Sequence, residues 1–124
     1  MSEMTIEEYE KIDPKFELEV NGVKIFYSVP NRHTLWRVHS LETKEPDTLE
    51  WISGFKKHDI LLDVGANVGM YTIWAAMTIG VTVFAFEPEA QNFALLNKNI
   101  LTNGLQDRVT AYPVVSFPLI PEPL

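Results

Sequence analysis

The sequence predicts an α/β protein: half of a doubly wound parallel sheet, preceded by a β-hairpin. Three observations carry this. Ile60-Leu61-Leu62 with Val64, and Val81 to Phe86, are apolar runs that each stop at a turn before a helix-like stretch. A third run, Arg108 to Val115, follows the second of those stretches. Upstream, two alternating segments flank Asn21-Gly22, a hairpin turn signal. Strand–helix–strand–helix–strand order implies parallel pairing with right-handed crossovers. That is one half of a doubly wound sheet.

The elements follow in order. Residues 1–14 are polar and read as frayed or loosely helical. Residues 15–43 form the hairpin: Phe16 to Val20 and Val23 to Val29 alternate, and Pro30-Asn31 breaks the pattern. Thr34 to Leu41 reads as a third short strand, which would make the hairpin a meander. The main domain spans residues 44–115. Lys44-Glu45-Pro46-Asp47-Thr48 has the residues of a helix start, with Pro46 in the first turn and acids near the positive end of the dipole. Leu49, Ile52 and Phe55 give that helix one apolar face. Ile60 to Val64 is apolar enough for a buried parallel strand. Val68 to Ile79 is apolar almost all round, as a buried helix is, and Gly80 ends it. Val81 to Phe86 is the second strand and stops at Glu87-Pro88. Glu89 to Asn103 is the next helix, with Ala90, Phe93, Leu96 and Ile100 near one face and Asn103-Gly104 as its stop. Arg108 to Val115 is the third strand. Residues 116–124 hold three of the eight prolines and show no periodicity.

Composition excludes several classes. Apolar residues make up 46% of the 124, the fraction of a globular chain rather than a disordered one. The net charge of −7 argues against a broad nucleic-acid or anionic-membrane surface. Without cysteine there are no disulfides, thiol nucleophiles or cysteine-based metal sites. His33, His39 and His58 lack ligand spacing, so a solvated or structural role is expected for each and no metal is assigned. Met1 to Glu10 lacks the basic and apolar regions of a signal peptide. No apolar run reaches the roughly 18 residues of a membrane helix. A cytoplasmic location is expected.

Asp63-Val64-Gly65-Ala66-Asn67-Val68-Gly69 joins the first strand to its helix. Gly65 and Gly69 remove side chains where the backbone turns and where a ligand must come close. A tight turn without a ligand is the plain alternative. Glu87 is the second signal, because it ends the next strand, and neighbouring strand ends open onto one crevice. A carboxylate there accepts charge-assisted bonds from the two hydroxyls of a ribose. Its plain alternative is a helix-start acid. The spacing Gly65-x-x-x-Gly69 differs from the G-x-G-x-x-G of dinucleotide binders. With Asp63 before the turn, it suits S-adenosylmethionine better. That cofactor has no phosphate but carries an ammonium, which Asp63 can meet, and a carboxylate, which the turn's N–H groups can meet. Tyr71 and Trp74 either line the pocket or belong to the core.

Four blocks resemble the FkbM-type methyltransferases: Asp63 to Thr72, Phe84 to Phe93, Leu96 to Leu105, and Lys44 to Ile52. The resemblance implies a Rossmann-like sheet and S-adenosylmethionine-dependent methyl transfer, most often to a hydroxyl of a sugar, lipid or natural product. It implies that Asp63, Gly65, Ala66, Asn67 and Gly69 form the cofactor loop. Glu87, followed by Pro88, is the implied ribose acid, and Asn92 and Phe93 border the adenine. Glu45 reaches the cofactor from above or is simply a helix-start acid.

The family's sheet has seven strands, and this chain reaches the third. Substrate-binding and base residues normally come from the later strands, so no catalytic residue is assigned. The chain is expected to be a fragment whose first strand exposes one edge and one face. Such a chain should be poorly soluble, oligomeric or partly molten. Two other readings stand beside the methyltransferase: an inactive truncated product or interaction module, and a dinucleotide-binding half-domain, which the loop pattern disfavours.

Overall fold

In the computed structural model, which describes residues 3–116, the polar start folds into a short helix, α1 (Ile6–Lys11). It forms because Thr5 and Glu8 cap it reciprocally, each side chain accepting the other's backbone N–H. It buries nothing. Asp13, just beyond it, contacts Lys15 and, at 2.7 Å, Lys98 of a later helix. These two lysines hold its carboxyl down to about 2.

Strands β1 (Lys15–Val20) and β2 (Val23–Ser28) pair antiparallel from Lys15↔Ser28 to Val20↔Val23. Asn21 and Gly22 turn the chain with φ of 51° and 82°, the double left-handed geometry that matches strand twist. The expected third strand over 34–41 is instead a helix, α2 (Arg32–His39), continued by α3 (Leu41–Lys44). Asn31 caps α2 by accepting the Thr34 N–H at 2.9 Å. Thr34, Val38 and Leu41 are the buried residues of this stretch, and their spacing follows a helical face rather than a strand's alternation. Helix α4 (Pro46–Ser53) has Pro46 in its first turn and buries Leu49 and Ile52, as expected.

The main sheet is parallel, in the order β3 (Ile60–Val64), β4 (Thr82–Phe86), β5 (Val109–Tyr112). Helices α5 (Met70–Thr78) and α6 (Ala90–Thr102) make the crossovers. β5 is shorter than its apolar run, because Pro113 has no N–H to continue a ladder. α5 packs on β4 and α6 on β5, while β2 packs against both helices. The result is three layers: sheet, helices and hairpin. The core runs through them, with Ile25 and Tyr27 from β2, Ile73 and Ala76 from α5, Leu96 from α6 and Val83 from β4.

β3 departs from a fully buried strand. Leu61 is buried toward the helices, but Ile60, Leu62 and Val64 are 65%, 57% and 59% exposed. Side chains alternate across a strand, and the helices described cover one face only. β3 also ends the three-stranded sheet, so the expected bare edge and face are both present among the described residues. Apart from Ser116, the proline-rich segment read at 116–124 lies outside the described residues.

Candidate functional site

The Asp63–Gly69 loop turns through three left-handed positions: Gly65 (φ 73°), Asn67 (φ 54°) and Gly69 (φ 88°). The two glycines serve different ends. A Cβ on Gly69 would sit 2.6 Å from Leu96 Cδ1, so this glycine lets α6 press against the start of α5. A Cβ on Gly65 would meet nothing within 4 Å, so the backbone there faces open space.

The loop is stitched to the end of β4. The N–H groups of Gly65 and Ala66 donate to the Phe86 carbonyl at 2.9 and 3.0 Å, and that of Gly69 to the Ala66 carbonyl at 2.8 Å. The Asn67 N–H donates to Glu87 Oε1 at 2.8 Å. These four donors were expected to meet a ligand's carboxylate; the chain itself consumes them.

Glu87 is 5% exposed. Besides Asn67, it accepts the Glu89 N–H at 2.9 Å through Oε2. A carboxylate has about four lone-pair directions, so two remain for a ligand. Asp63, half-buried at the end of β3, accepts the Thr72 hydroxyl at 2.6 Å. Burial pushes its carboxyl above the usual range, the Thr72 bond opposes this, and the charge of Glu87 adds to it. Among the described residues, neither acid has a cationic partner within ion-pair distance.

Asn67 is a junction. Its side-chain oxygen accepts from Asn92 Nδ2 at 3.3 Å and from Arg37 at 3.4 Å. Asn92 also receives the α6 cap, its N–H donating to Glu89 at 2.7 Å. Glu45 is exposed and takes the hydroxyl of Tyr71 in a short hydrogen bond. Burial, then Glu45, pushes the Tyr71 phenol above its ordinary value, keeping it a neutral donor. Arg37, Lys44, Glu45, Asn67, Met70 and Tyr71 line a cleft of about 240 Å³ beside the loop. The structure therefore brings together Asp63, Gly65, Ala66, Asn67, Gly69, Glu87 and Asn92, and Glu45 lines the same cleft as Asn67. Pro88 is exposed, Phe93 packs against the core, and Trp74 is buried within it. Among the described residues, no group of three His, Asp or Glu side chains is placed to hold a metal.

Sequence reasoning missed the supports of the loop. Asn99, fully buried on α6, accepts the Ser28 N–H at 2.7 Å and donates to the Val68 carbonyl at 2.8 Å. Asn103 accepts the Phe26 N–H and donates back to the Phe26 carbonyl. Tyr27 donates its hydroxyl to the Met70 carbonyl at 2.8 Å. Burial alone pushes the Tyr27 phenol up. The available signal was the position of Asn99 and Asn103 on the same face as Leu96, where an amphipathic helix otherwise places apolar residues.

The donor set fits S-adenosylmethionine. Two acids without cations suit an ammonium and ribose hydroxyls, and the bare backbone at Gly65 leaves room for the group. The same features oppose a pyrophosphate, since two carboxylates flank a loop four of whose N–H groups are occupied.

No protein-family model matches the chain. It is 44% identical over 52 residues to the 31-O-demethyl-FK506 methyltransferase FkbM of Streptomyces tacrolimicus, covering 41% of this chain and 20% of that one. It is 28% identical over 81 residues to the hexuronic acid methyltransferase AglP of Haloferax volcanii, covering 65% of this chain and 33% of the other. The chain thus spans about a fifth and a third of these two relatives. Among solved structures, geranyl diphosphate methyltransferase in complex with S-adenosylmethionine superposes with a TM-score of 0.52 at 20% identity, over 67% of this chain and 36% of the other. This likeness is one of fold. Over the part of them that it spans, the chain is similar in sequence to two methyltransferases, one of them FkbM, and it has a Rossmann-like fold.

Proposed function

We propose that the chain carries the cofactor-binding part of an S-adenosylmethionine-dependent methyltransferase acting on a hydroxyl of a sugar, lipid or natural product. One observation carries this reading. Asp63 and Glu87, at adjacent strand ends, face a glycine turn with no cation to neutralise them among the described residues. The names of the two relatives, one acting on a natural product and one on a hexuronic acid, support the acceptor class.

When bound, the cofactor supplies an electrophilic methyl group on a sulfonium. The chain's residues bind and orient it. Glu87 offers its two remaining lone-pair directions to the ribose hydroxyls, and Asp63 offers charge to the ammonium. Gly65 admits the ligand to the backbone, and Asn92 borders the adenine. No catalytic base is assigned among the described residues. Titration calorimetry with S-adenosylhomocysteine and with NAD tests the reading. Binding of the first and not the second is expected, and Glu87→Gln should weaken it about tenfold or more. Binding of NAD alone, or indifference to Glu87→Gln, refutes it.

A second reading has its own support, the bare edge and face of β3. In it the chain is an inactive product or an interaction module that pairs with further strands, its own copy included. Binding of neither ligand favours this reading.

A further inference from the structure

Four loop N–H groups are bonded within the chain, which leaves fewer backbone donors for the carboxylate of an amino-acid-bearing ligand. Arg37 stands beside the loop. One guanidinium nitrogen reaches Asn67 Oδ1 at 3.4 Å, and another lies 2.8 Å from His33 Nε2. Lys44, on the same cleft, lies 5.3 Å over the Trp36 ring. Among the described residues neither cation pairs with an acid, although the chain carries seven more acids than bases. Glu45, the acid in the cleft, binds Tyr71 instead.

We infer that Arg37 holds the carboxylate at the amino-acid end of the cofactor, with Lys44 adding charge from the same cleft. This rests on the proposed function. It gives the site a polarity: acids at the strand ends for the ammonium and ribose, cations on the helices before the sheet for the carboxylate. A guanidinium suits this task because it stays charged and matches a carboxylate with paired donors.

The test compares S-adenosylhomocysteine with its decarboxylated analogue by calorimetry on the full chain. Arg37→Gln should weaken S-adenosylhomocysteine about tenfold or more, the loss of one charge-assisted contact. It should leave the decarboxylated analogue unchanged. Arg37→Lys, which keeps the charge, should retain more affinity than Arg37→Gln. Equal loss for both ligands overturns the inference, since Arg37 would then act on the loop and not on the carboxylate. So does unchanged binding of S-adenosylhomocysteine. Wild-type chain that binds neither ligand overturns the cofactor reading itself, and this inference with it.

Discussion

Gly65 and Gly69 share a left-handed backbone yet should respond differently to alanine. At Gly69 the added methyl would lie 2.6 Å from Leu96 Cδ1, whereas carbon atoms rest about 3.5–4.0 Å apart. Leu96 is fully buried, so it moves only by disturbing the core. Overpacking of this kind costs about 1–3 kcal/mol, and the left-handed conformation costs an alanine about 1–2 more. Gly69→Ala should therefore lose about 2–5 kcal/mol, a large share of the roughly 5–15 kcal/mol that holds a domain together. At Gly65 no atom lies within 4 Å, so only the conformational part, about 1–2 kcal/mol, applies. Its methyl instead enters the space assigned to the ligand. Urea unfolding followed by circular dichroism gives the two stabilities from the midpoints, with slopes checked for constancy. Calorimetry with S-adenosylhomocysteine gives the affinities. Gly69→Ala should be the less stable variant, and Gly65→Ala the one that stays folded and loses binding. Equal stability losses would refute the packing argument. Wild-type affinity in Gly65→Ala would show that the open space is not where the ligand sits.

Other perturbations separate stability from binding. Asp63 has a folded-state pKa raised above its unfolded value, mainly by burial. Its favourable contribution is therefore complete below the unfolded value and is lost as pH rises through the folded one. Asp63→Asn keeps an acceptor for Thr72, so it should flatten this loss between acid and neutral pH while weakening S-adenosylhomocysteine binding. A melting temperature at pH 7 below that of wild type counts against the burial argument. Asn99→Ala leaves the buried Ser28 N–H and Val68 carbonyl without their partner, at about 1–3 kcal/mol each. Urea unfolding should show a loss of about 2–5 kcal/mol, and a change under about 0.5 would refute the clamp. Leu62→Lys places a charge on the bare face of β3. Sedimentation velocity should show concentration-dependent association for wild type and less of it for this variant. Identical profiles would mean that the face does not associate.

The parallel sheet was legible because its signals are local. Apolar runs ended by Gly80, Asn103-Gly104 and Glu87-Pro88 mark strands and helices with little ambiguity, and the loop glycines announce positive φ. The stretch 34–41 was misread because its apolar residues do not mark its buried face. Leu35 and Trp36 are exposed while Thr34 is buried, so hydropathy alone misplaces the inward face. The Asn31 cap decides the helix, and its signal was absorbed into a loop break. That misreading hid Arg37, which reaches Asn67 from α2. In β3, sequence gives apolarity but not which face finds a partner; Ile60, Leu62 and Val64 read the same whether covered or bare.

The bare face raises a physical question: what holds the loop in shape when β3 has a partner on one side only? Among the described residues the answer lies in β4, α6 and the hairpin. Phe86 and Glu87 at the end of β4 take up the N–H groups of Gly65, Ala66 and Asn67. Asn99 of α6 takes the Val68 carbonyl, and Tyr27 of β2 takes the Met70 carbonyl two residues later. Asn99 and Tyr27 are fully buried and their hydrogen bonds cross between layers, so shifting either would strand a polar group away from water. The hairpin is thus a brace for the loop as well as a cover for the helices. Its sequence gives no hint of this, because the two asparagines that bind it lie more than seventy residues away along the chain. If the brace is what shapes the site, Tyr27→Phe should weaken S-adenosylhomocysteine binding by more than its loss of stability alone explains. That variant keeps the packed ring and removes one hydrogen bond, so the excess would come from the Met70 carbonyl and the loop that precedes it.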